Sequence, residues 1–175
     1  MRRLLLLRHS ESERSEPGTS DRARVLTESG RKDAARLGAY MARHVIVPDR
    51  VLMSPALRSR QTWKYVSRAF DATPKAQEVN SLYDATAQAI FNIIAEIPAD
   101  ARSILIIGHN PALHDLALLL IASGDIESRE LLQEDLPTSG LVIVEFAFED
   151  WARLHPRAGR LERFVGPKSI EPATS

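Results

Sequence analysis

The 175-residue sequence contains no cysteine, few aromatic residues and no net charge. Without cysteine, disulfide bonds and thiol chemistry are excluded. Lysine plus arginine and aspartate plus glutamate each number 23, so the chain lacks the overall positive charge that attracts nucleic acid or an anionic membrane. We therefore expect neither of these partners, and any positive potential has to be local.

Long hydrophobic runs are also missing. Residues 4–7 are four leucines that follow two arginines, as in a secretory signal, but the run ends at Arg8, whereas an export signal needs about 7 to 15 apolar residues. No other stretch approaches the roughly 18 apolar residues of a membrane span. The sequence therefore predicts a cytoplasmic protein with one domain, residues 1–168, followed by a flexible tail, residues 169–175.

Short apolar runs predict the strands of a parallel sheet. Residues 4–7 and 104–107 are continuously apolar, which is typical of central strands covered on both faces. Residues 50–53, 141–148 and 161–165 form three further candidate strands.

Helical patterns lie between these strands. Apolar residues recur every three or four positions in four segments, which start at Ala34, Trp63, Ala87 and Leu113. The alternation of strands and helices predicts an α/β fold, a three-layer α/β/α sandwich around a mostly parallel sheet. In such a fold, ligands bind at the carboxyl ends of the strands.

Three residues are predicted to start helices. Thr27 is an N-cap candidate before an acidic first turn, and Ser54 and Asn110 are N-cap candidates that each precede a proline. A helix N-terminus presents unpaired N–H groups and the positive end of the helix dipole. The helices predicted at Ser54 and Asn110 therefore favour an anion at the nearby strand ends.

Arginines and histidines gather at the predicted strand ends. Arg8, His9, Arg58 and His109 each come at or shortly after the end of an apolar strand. The carboxyl ends of parallel strands are neighbours, and placing these side chains together costs desolvation free energy unless an anion joins them. Arginine suits a phosphate because its planar fork can hold two oxygens at once. The sequence therefore predicts a phosphate-sized ligand.

Three motifs resemble those of the histidine phosphatase superfamily in spacing and order. They are Leu-Arg-His-Ser at residues 7–10, Ser-Pro-Ala-Leu-Arg-Ser-Arg-Gln-Thr at 54–62 and Gly-His-Asn-Pro at 108–111. The short length, the stretch 24–30 and the form of the last motif resemble the small SixA-like phosphohistidine phosphatases of that superfamily. The similarity covers residues 2 to 165, and it implies a phosphoglycerate mutase-like fold.

The resemblance implies a role for each of the four strand-end side chains. His9 would be the nucleophile that receives a phosphoryl group, and Arg8, Arg58 and His109 would hold that group. No cofactor and no metal are implied. The chemistry of the residues agrees, because a neutral imidazole with a pKa near ~6.5 is nucleophilic at physiological pH and fixed cations stabilise the charge of an in-line transfer.

Three further positions are compared with the pattern of the family that the chain resembles. Family members often have glycine after the catalytic histidine, where this chain has Ser10, a small residue that we expect the loop to tolerate. Larger members use a glutamate as proton donor, which SixA-like members often lack, and Asp84 is the candidate general acid here. Arg24 resembles a family position that lines the pocket and is a candidate for phosphate or substrate binding. Arg24 lies near Arg22 in a polar loop, so the interpretation that it is simply solvated has equal weight.

Taken together, these features predict a phosphatase that acts through a phosphohistidine intermediate on His9. Protein phosphohistidine, for example on a signalling protein, is the favoured substrate, because imidazole leaves more readily than an alkoxide and needs little help from a general acid. A phosphatase of small phosphate esters is the alternative enzyme. A phospho-ligand binding module without turnover is the alternative from another class. A mutase is disfavoured, because the long insertions that enclose a sugar phosphate do not fit into this length.

Overall fold

One seven-stranded sheet forms the centre of the computed structural model, which describes residues 1–170. The strands are β1 (Arg2–Arg8), β2 (Arg50–Met53), β3 (Lys75–Glu78), β4 (Ser103–Gly108), β5 (Ile121–Gly124), β6 (Leu141–Phe146) and β7 (Gly159–Val165). Along the sheet they follow the order β3-β2-β4-β1-β6-β7-β5. All neighbouring pairs are parallel except the two that involve β6. The prediction of a mostly parallel sheet is confirmed.

Helices pack against both faces of this sheet. They are α1 (Glu28–Arg43), α2 (Leu57–Ser67), α3 (Ala87–Ala95), α4 (Ala112–Leu120) and α5 (Ile126–Glu134). The first four confirm the predicted patterns. The sequence did not predict α5, β3 or β5, because α5 buries only Leu132, β3 is a largely exposed edge strand and β5 continues the apolar run of α4. Within residues 1–170, no helix has the length and apolar character needed to cross a membrane.

Alternate residues of β1 pack against opposite helical layers. Leu4 and Leu6 belong to a core that includes α3 and α4, whereas Leu5 and Leu7 belong to a second core that includes α1 and α2. All of these leucines are fully buried, and each buried leucine side chain stabilises the fold by roughly 1.5 to 3 kcal/mol. Two cores on two faces of one sheet make the α/β/α sandwich that the sequence predicts.

The start of α1 and its contact with α2 position one part of the site. Thr27 Oγ1 accepts a hydrogen bond from the main-chain N–H of Gly30 at 2.9 Å, which confirms Thr27 as the N-cap. Further along α1, a β-carbon at Gly38 would lie 2.3 Å from the carbonyl oxygen of Val66 in α2. The two helices therefore approach closely because residue 38 has no side chain, and this contact holds the helix that carries Arg58.

The other two predicted N-caps are wrong. The N-cap residues are Ala56 for α2 and Pro111 for α4. Ser54 Oγ instead accepts a hydrogen bond from the main-chain N–H of Ala56 at 3.2 Å, in a turn before α2. The side-chain amide of Asn110 donates to the carbonyl oxygen of Leu136 at 2.8 Å. Asn110 is diverted from capping by a partner distant in sequence, which local sequence patterns do not reveal.

The chain stays packed beyond residue 168. The hydroxyl of Ser169 hydrogen-bonds the main chain of Gly166, and Ile170 is only 6% exposed and belongs to the same core as α1. The predicted tail therefore starts too early, because the apolar side chain of Ile170 is buried in that core. The rest of the predicted tail, residues 171–175, lies outside the described residues.

Candidate active site

Strand register brings the predicted site residues to one edge of the sheet. Arg8 at the end of β1 pairs with Gly108 at the end of β4, and β2 ends at the same level on the other side of β4. The residues that follow these strands are therefore neighbours. The ring centroids of His9 and His109 lie 5.2 Å apart, although the two residues are far apart in the sequence.

His9 is held in one tautomer by the main chain. Its side chain is almost buried, at 8% exposure, and Nδ1 lies 2.8 Å from the carbonyl oxygen of Ser10. Because a carbonyl oxygen can only accept, Nδ1 carries the proton that is donated to it. In the neutral ring the other nitrogen, Nε2, then keeps its lone pair. This is the form of imidazole that can attack an electrophile.

The surroundings of His9 also keep its ring uncharged. Burial is the main cause that lowers the pKa of His9 from 6.5 to about 3, and the positive charges of His109, Arg58 and Arg8 lower it further. The hydrogen bond to Ser10 acts in the opposite direction and is outweighed. At physiological pH the imidazole is therefore neutral and nucleophilic.

Arg58 is a buried cation in the first turn of α2, with 5% exposure. Its Nη1 donates to the main-chain carbonyl oxygen of Asp21 at 2.8 Å, and its Nη2 donates to the Asp21 carboxylate at 3.1 Å. Nη2 also lies 3.4 Å from Nδ1 of His109. The structure thus brings Arg58 against one of the two histidines, as the position of its motif predicts.

His109 takes the opposite tautomer from His9. A guanidinium group can only donate, so the contact with Arg58 makes Nδ1 of His109 the acceptor. The proton is then on Nε2, which donates to Ser54 Oγ at 2.7 Å. Burial, followed by the charge of Arg58, lowers the pKa of His109 to about 4. Ser54, which does not cap α2, orients this ring instead.

Arg8 completes the group of cations. Its Nη1 donates to the carbonyl oxygen of Leu136 at 3.1 Å, and its charge is among those that lower the pKa of His9. The Nε–H groups of both Arg8 and Arg58 are buried and have no hydrogen-bond partner within residues 1–170. Buried donors are normally satisfied, so two unsatisfied guanidinium donors beside two imidazoles suit an oxyanion ligand.

Asp21 is a site residue that the sequence analysis missed. Its carboxylate accepts hydrogen bonds from the hydroxyl of Tyr83, from Nη2 of Arg58 and from Nε of Arg24, the last at 3.0 Å. The Tyr83 hydrogen bond is the main cause that lowers the pKa of Asp21 to about 2, and Arg58 is the next to lower it. Asp21 lies in a polar loop with several other charged residues, so its sequence context carries no distinguishing signal.

Arg24 has its partners within its own loop. Besides the bond to Asp21, its Nη1 donates to the carbonyl oxygen of Glu13 at 2.9 Å and to Ser12 Oγ at 3.3 Å. These bonds make Arg24 a support for Asp21, which in turn holds Arg58. A direct contact of Arg24 with substrate stays a prediction.

Ser10 fits the position where many family members have glycine. The residue is fully buried, its Oγ lies 2.6 Å from Ser139 Oγ, and its main-chain N–H donates to Thr62 Oγ1 at 2.9 Å. The hydroxyl and the main-chain N–H of Ser10 are therefore satisfied. These bonds tie the residue after His9 to α2 and to the loop before β6.

A small cavity adjoins Arg58 and His109. It has a volume of about 270 Å³ and is lined by Arg58, Leu82, Tyr83, Asp84, Ala85, His109, Asn110, Pro111 and Ala112. Asp84 is exposed at this cavity and has no hydrogen bond among the described residues. Its negative charge raises the pKa of His109. A larger cleft of about 550 Å³ lies beside α5, and no histidine lines it.

Known sequences resemble this chain in part or over most of its length. A sequence model described as the histidine phosphatase superfamily (branch 1) matches residues 4–82. An uncharacterized protein of Mycobacterium tuberculosis is 29% identical over 164 residues, which cover 93% of this chain and 100% of the relative. A phosphohistidine phosphatase SixA homolog of Haemophilus influenzae is 36% identical over 73 residues, which cover 39% of this chain and 43% of that protein.

Comparison with solved structures gives the same result as comparison with known sequences. A protein of Agrobacterium tumefaciens, assigned as a phosphohistidine phosphatase SixA, is similar with a TM-score of 0.77 at 27% identity, covering 95% of this chain and 98% of that chain. Residues 4–82 are similar to the histidine phosphatase superfamily, and the fold of the chain is that of the SixA-like structure. The resemblance read from the three motifs is confirmed.

Proposed function

We propose that this chain hydrolyses phosphohistidine on proteins, with His9 as the nucleophile and without a metal ion. The observation that carries the proposal is the hydrogen bond from His9 Nδ1 to the Ser10 carbonyl oxygen at 2.8 Å. It leaves the Nε2 lone pair available for attack in a site that contains Arg58 and His109. A histidine kept neutral among cations is suited to attack phosphorus while those cations bind the phosphoryl oxygens.

The first step transfers the phosphoryl group to His9. The Nε2 lone pair forms a bond to phosphorus, and the bond from phosphorus to the leaving nitrogen breaks with its electron pair going to the leaving group. Positive charge on the phosphorylated ring of His9 is shared with Nδ1, whose N–H continues to donate to the Ser10 carbonyl oxygen. Positioning and electrostatic stabilisation dominate such transfers.

Arg8, Arg58 and His109 stabilise the charge on the transferring group. The two buried Nε–H donors of Arg8 and Arg58 can satisfy their hydrogen bonds on phosphoryl oxygens. A bound dianion favours the protonated form of His109, which then adds a third cation. Removing a single preorganised donor of this type typically raises the barrier by about 3 to 4 kcal/mol.

The second step releases phosphate. A water molecule attacks phosphorus in line with His9 Nε2, the phosphorus–nitrogen bond breaks, and the electron pair returns to Nε2. Both protons of the water stay with the product, which leaves as dihydrogen phosphate. His9 is restored to the neutral ring held by Ser10, so the cycle needs no further reagent.

The leaving group favours phosphohistidine as substrate. An alkoxide leaving group needs a positioned general acid, whereas protonated imidazole departs as a neutral molecule. The candidate acid Asp84 is exposed and has no hydrogen bond among residues 1–170 that would hold its carboxyl group in place. A partner protein that carries phosphohistidine, such as a signalling protein, is therefore the substrate we propose.

The nucleophile is tested with a generic aryl phosphate and the variant His9→Ala. We expect His9→Ala to lower the rate by about 10³-fold or more, as removal of other catalytic nucleophiles does. His155→Ala is the matched control, because His155 is exposed and lies outside the site, and its rate should equal that of the wild type. Wild-type activity in His9→Ala would remove the nucleophile assignment, and inactivity of all three proteins would favour a phospho-ligand binding module.

The substrate class is tested by a panel of phosphohistidine protein, phosphoserine peptide and sugar phosphates. We expect kcat/KM to be highest for the phosphohistidine protein. Equal values for all members would instead support a phosphatase of small phosphate esters. That result would leave the role of His9 intact, because the panel measures the leaving group and not the nucleophile.

A further inference from the structure

The cavity beside Arg58 and His109 contains a carboxylate that the transfer mechanism does not use. Arg58 and His109 line the cavity, the His109 ring lies 5.2 Å from that of His9, and Asp84 is the only carboxylate among the lining residues. Several other lining residues are apolar or aromatic: Leu82, Tyr83, Ala85, Pro111 and Ala112. A cavity that combines a guanidinium group, an imidazole, apolar walls and one carboxylate suits a ligand that has both a negative group and a polar N–H.

The segment that carries Asp84 is fixed to the rest of the site. The hydroxyl of the preceding residue, Tyr83, donates to the carboxylate of Asp21, and the Tyr83 ring contacts His109 edge-on with centroids 5.8 Å apart. Asp84 itself has a φ of 54°, a left-handed conformation that aspartate and asparagine tolerate better than most residues. The backbone from which the Asp84 side chain extends is therefore constrained beside the cavity, while the carboxylate itself is free to meet a ligand.

From this arrangement we infer that Asp84 determines specificity by accepting a hydrogen bond from the distal ring nitrogen of the substrate phosphohistidine. The inference rests on the proposed function. Asp84 would favour leaving groups that carry a positively polarised N–H and would disfavour leaving groups that carry a carboxylate or a second phosphate. This role differs from that of a general acid, because Asp84 accepts a hydrogen bond and transfers no proton.

The chemistry of the bond to phosphorus explains why this contact matters. When the distal nitrogen of phosphohistidine carries a proton from solvent, cleavage returns the electron pair to the other nitrogen and releases neutral imidazole. Without that proton, cleavage would release the anionic imidazolate, a much poorer leaving group. A nearby carboxylate stabilises the protonated form. Asp84 therefore increases the fraction of substrate that is ready to react.

The test compares Asp84→Asn with the wild type on three substrates: a phosphohistidine peptide, a neutral aryl phosphate and the same aryl phosphate bearing a carboxylate. Asparagine keeps the size and the backbone preference of residue 84 and removes only the charge. We expect kcat/KM for the phosphohistidine peptide, relative to the neutral aryl phosphate, to fall about tenfold. Relative kcat/KM for the carboxylated aryl phosphate should rise about threefold, because a like charge has been removed.

The pH profile gives a readout that a structural defect would not produce. In Asp84→Asn, the alkaline limb of kcat/KM for the phosphohistidine peptide should move to lower pH, because the protonated substrate loses its stabilising charge. Asp71→Asn is the matched control, since Asp71 is exposed and does not line the cavity. Its values should equal those of the wild type.

Two outcomes would overturn the inference about Asp84. An equal loss on all three substrates would indicate a general acid or a structural role, and unchanged ratios would show that Asp84 does not contact the leaving group. Neither outcome affects the role of His9 as the nucleophile. The proposed substrate itself would fail if the wild type hydrolysed the aryl phosphate in a His9-dependent manner but did not hydrolyse the phosphohistidine peptide.

Discussion

Arg58 and Asp21 are joined by two hydrogen bonds, one from Nη1 to the main-chain carbonyl oxygen at 2.8 Å and one from Nη2 to the carboxylate at 3.1 Å. Two bonds to one residue fix the plane of a guanidinium group, because its donors form a rigid fork. The Asp21 carboxylate also accepts a hydrogen bond from the hydroxyl of Tyr83. The polar loop before α1 thus orients a cation that belongs to α2.

Replacing Asp21 should therefore disturb catalysis through Arg58. In Asp21→Asn the main-chain bond remains, but the charge that holds Arg58, Arg24 and Tyr83 is lost. We expect kcat/KM for an aryl phosphate to fall about tenfold, the effect of weakening one charge-assisted bond. Asp100→Asn, an exposed carboxylate before β4, serves as the control. Asp21→Asn with full activity and an unchanged melting temperature would show that Arg58 does not need this support.

The depressed pKa of His9 should make stability depend on pH. Below pH 6.5 an unfolded histidine gains a proton, whereas folded His9, with a pKa of about 3, does not. The unfolded state then binds more protons, so stability falls as the pH decreases from 6.5 towards 4. The loss attributable to His9 approaches about 1.4 kcal/mol per pH unit.

The variant His9→Asn isolates this contribution. Urea unfolding at pH 7, 6 and 5 should give a steeper loss of unfolding free energy in the wild type than in His9→Asn. His109 has a pKa lowered to about 4 and contributes with the same sign, but it is present in both proteins and cancels in the difference. Parallel pH dependences of the two proteins would mean that His9 titrates normally in the folded state.

The end of α1 offers a stabilising substitution away from the site. Val45 is 78% exposed and has a φ of 55°, and its N–H donates to the carbonyl oxygen of Ala42 at 3.2 Å. The N–H of Ile46 donates to the carbonyl oxygen of Met41 at 2.8 Å, which completes a Schellman motif. Glycine is the preferred residue at the left-handed position of this motif.

Val45→Gly should therefore raise the melting temperature. The left-handed conformation costs a non-glycine residue roughly 1 to 2 kcal/mol, and the extra backbone entropy of glycine offsets about 0.5 to 1 kcal/mol of that gain. A net gain near 1 kcal/mol corresponds to about 2 to 4 °C in a chain of this size. Val47→Gly is the control, because Val47 is also exposed but has no positive φ, and it should lower the melting temperature. Equal losses in both variants would argue against relief of strain at Val45.

Much of the fold follows from local patterns. The leucines of residues 4–7 predict a strand buried on both faces, and they pack into two different cores as such a strand must. The elements that the sequence analysis missed lack this signal. In β3 no residue is fully buried, and in α5 only Leu132 is, so neither has a clear apolar period to detect.

In the candidate site, too, some features were predictable from the sequence and others were not. The convergence of His9 and His109 was predictable, because each follows an apolar strand and parallel strands end at one edge of the sheet. The bond between Arg58 and Asp21 was not, since 37 residues separate them and many acidic side chains could have been the partner.

The sequence by itself determined the alternation of strands and helices, the resemblance to the histidine phosphatase superfamily and the strand-end position of the histidines and arginines, because apolar periodicity and motif spacing are local properties of the chain. Only the tertiary structure decided which polar groups are partners: the Ser10 carbonyl for His9, Ser54 for His109 and Asp21 for Arg58. Hydrogen bonds depend on distances of about 3 Å and on direction, and those distances arise only when the sheet and both helical layers have packed.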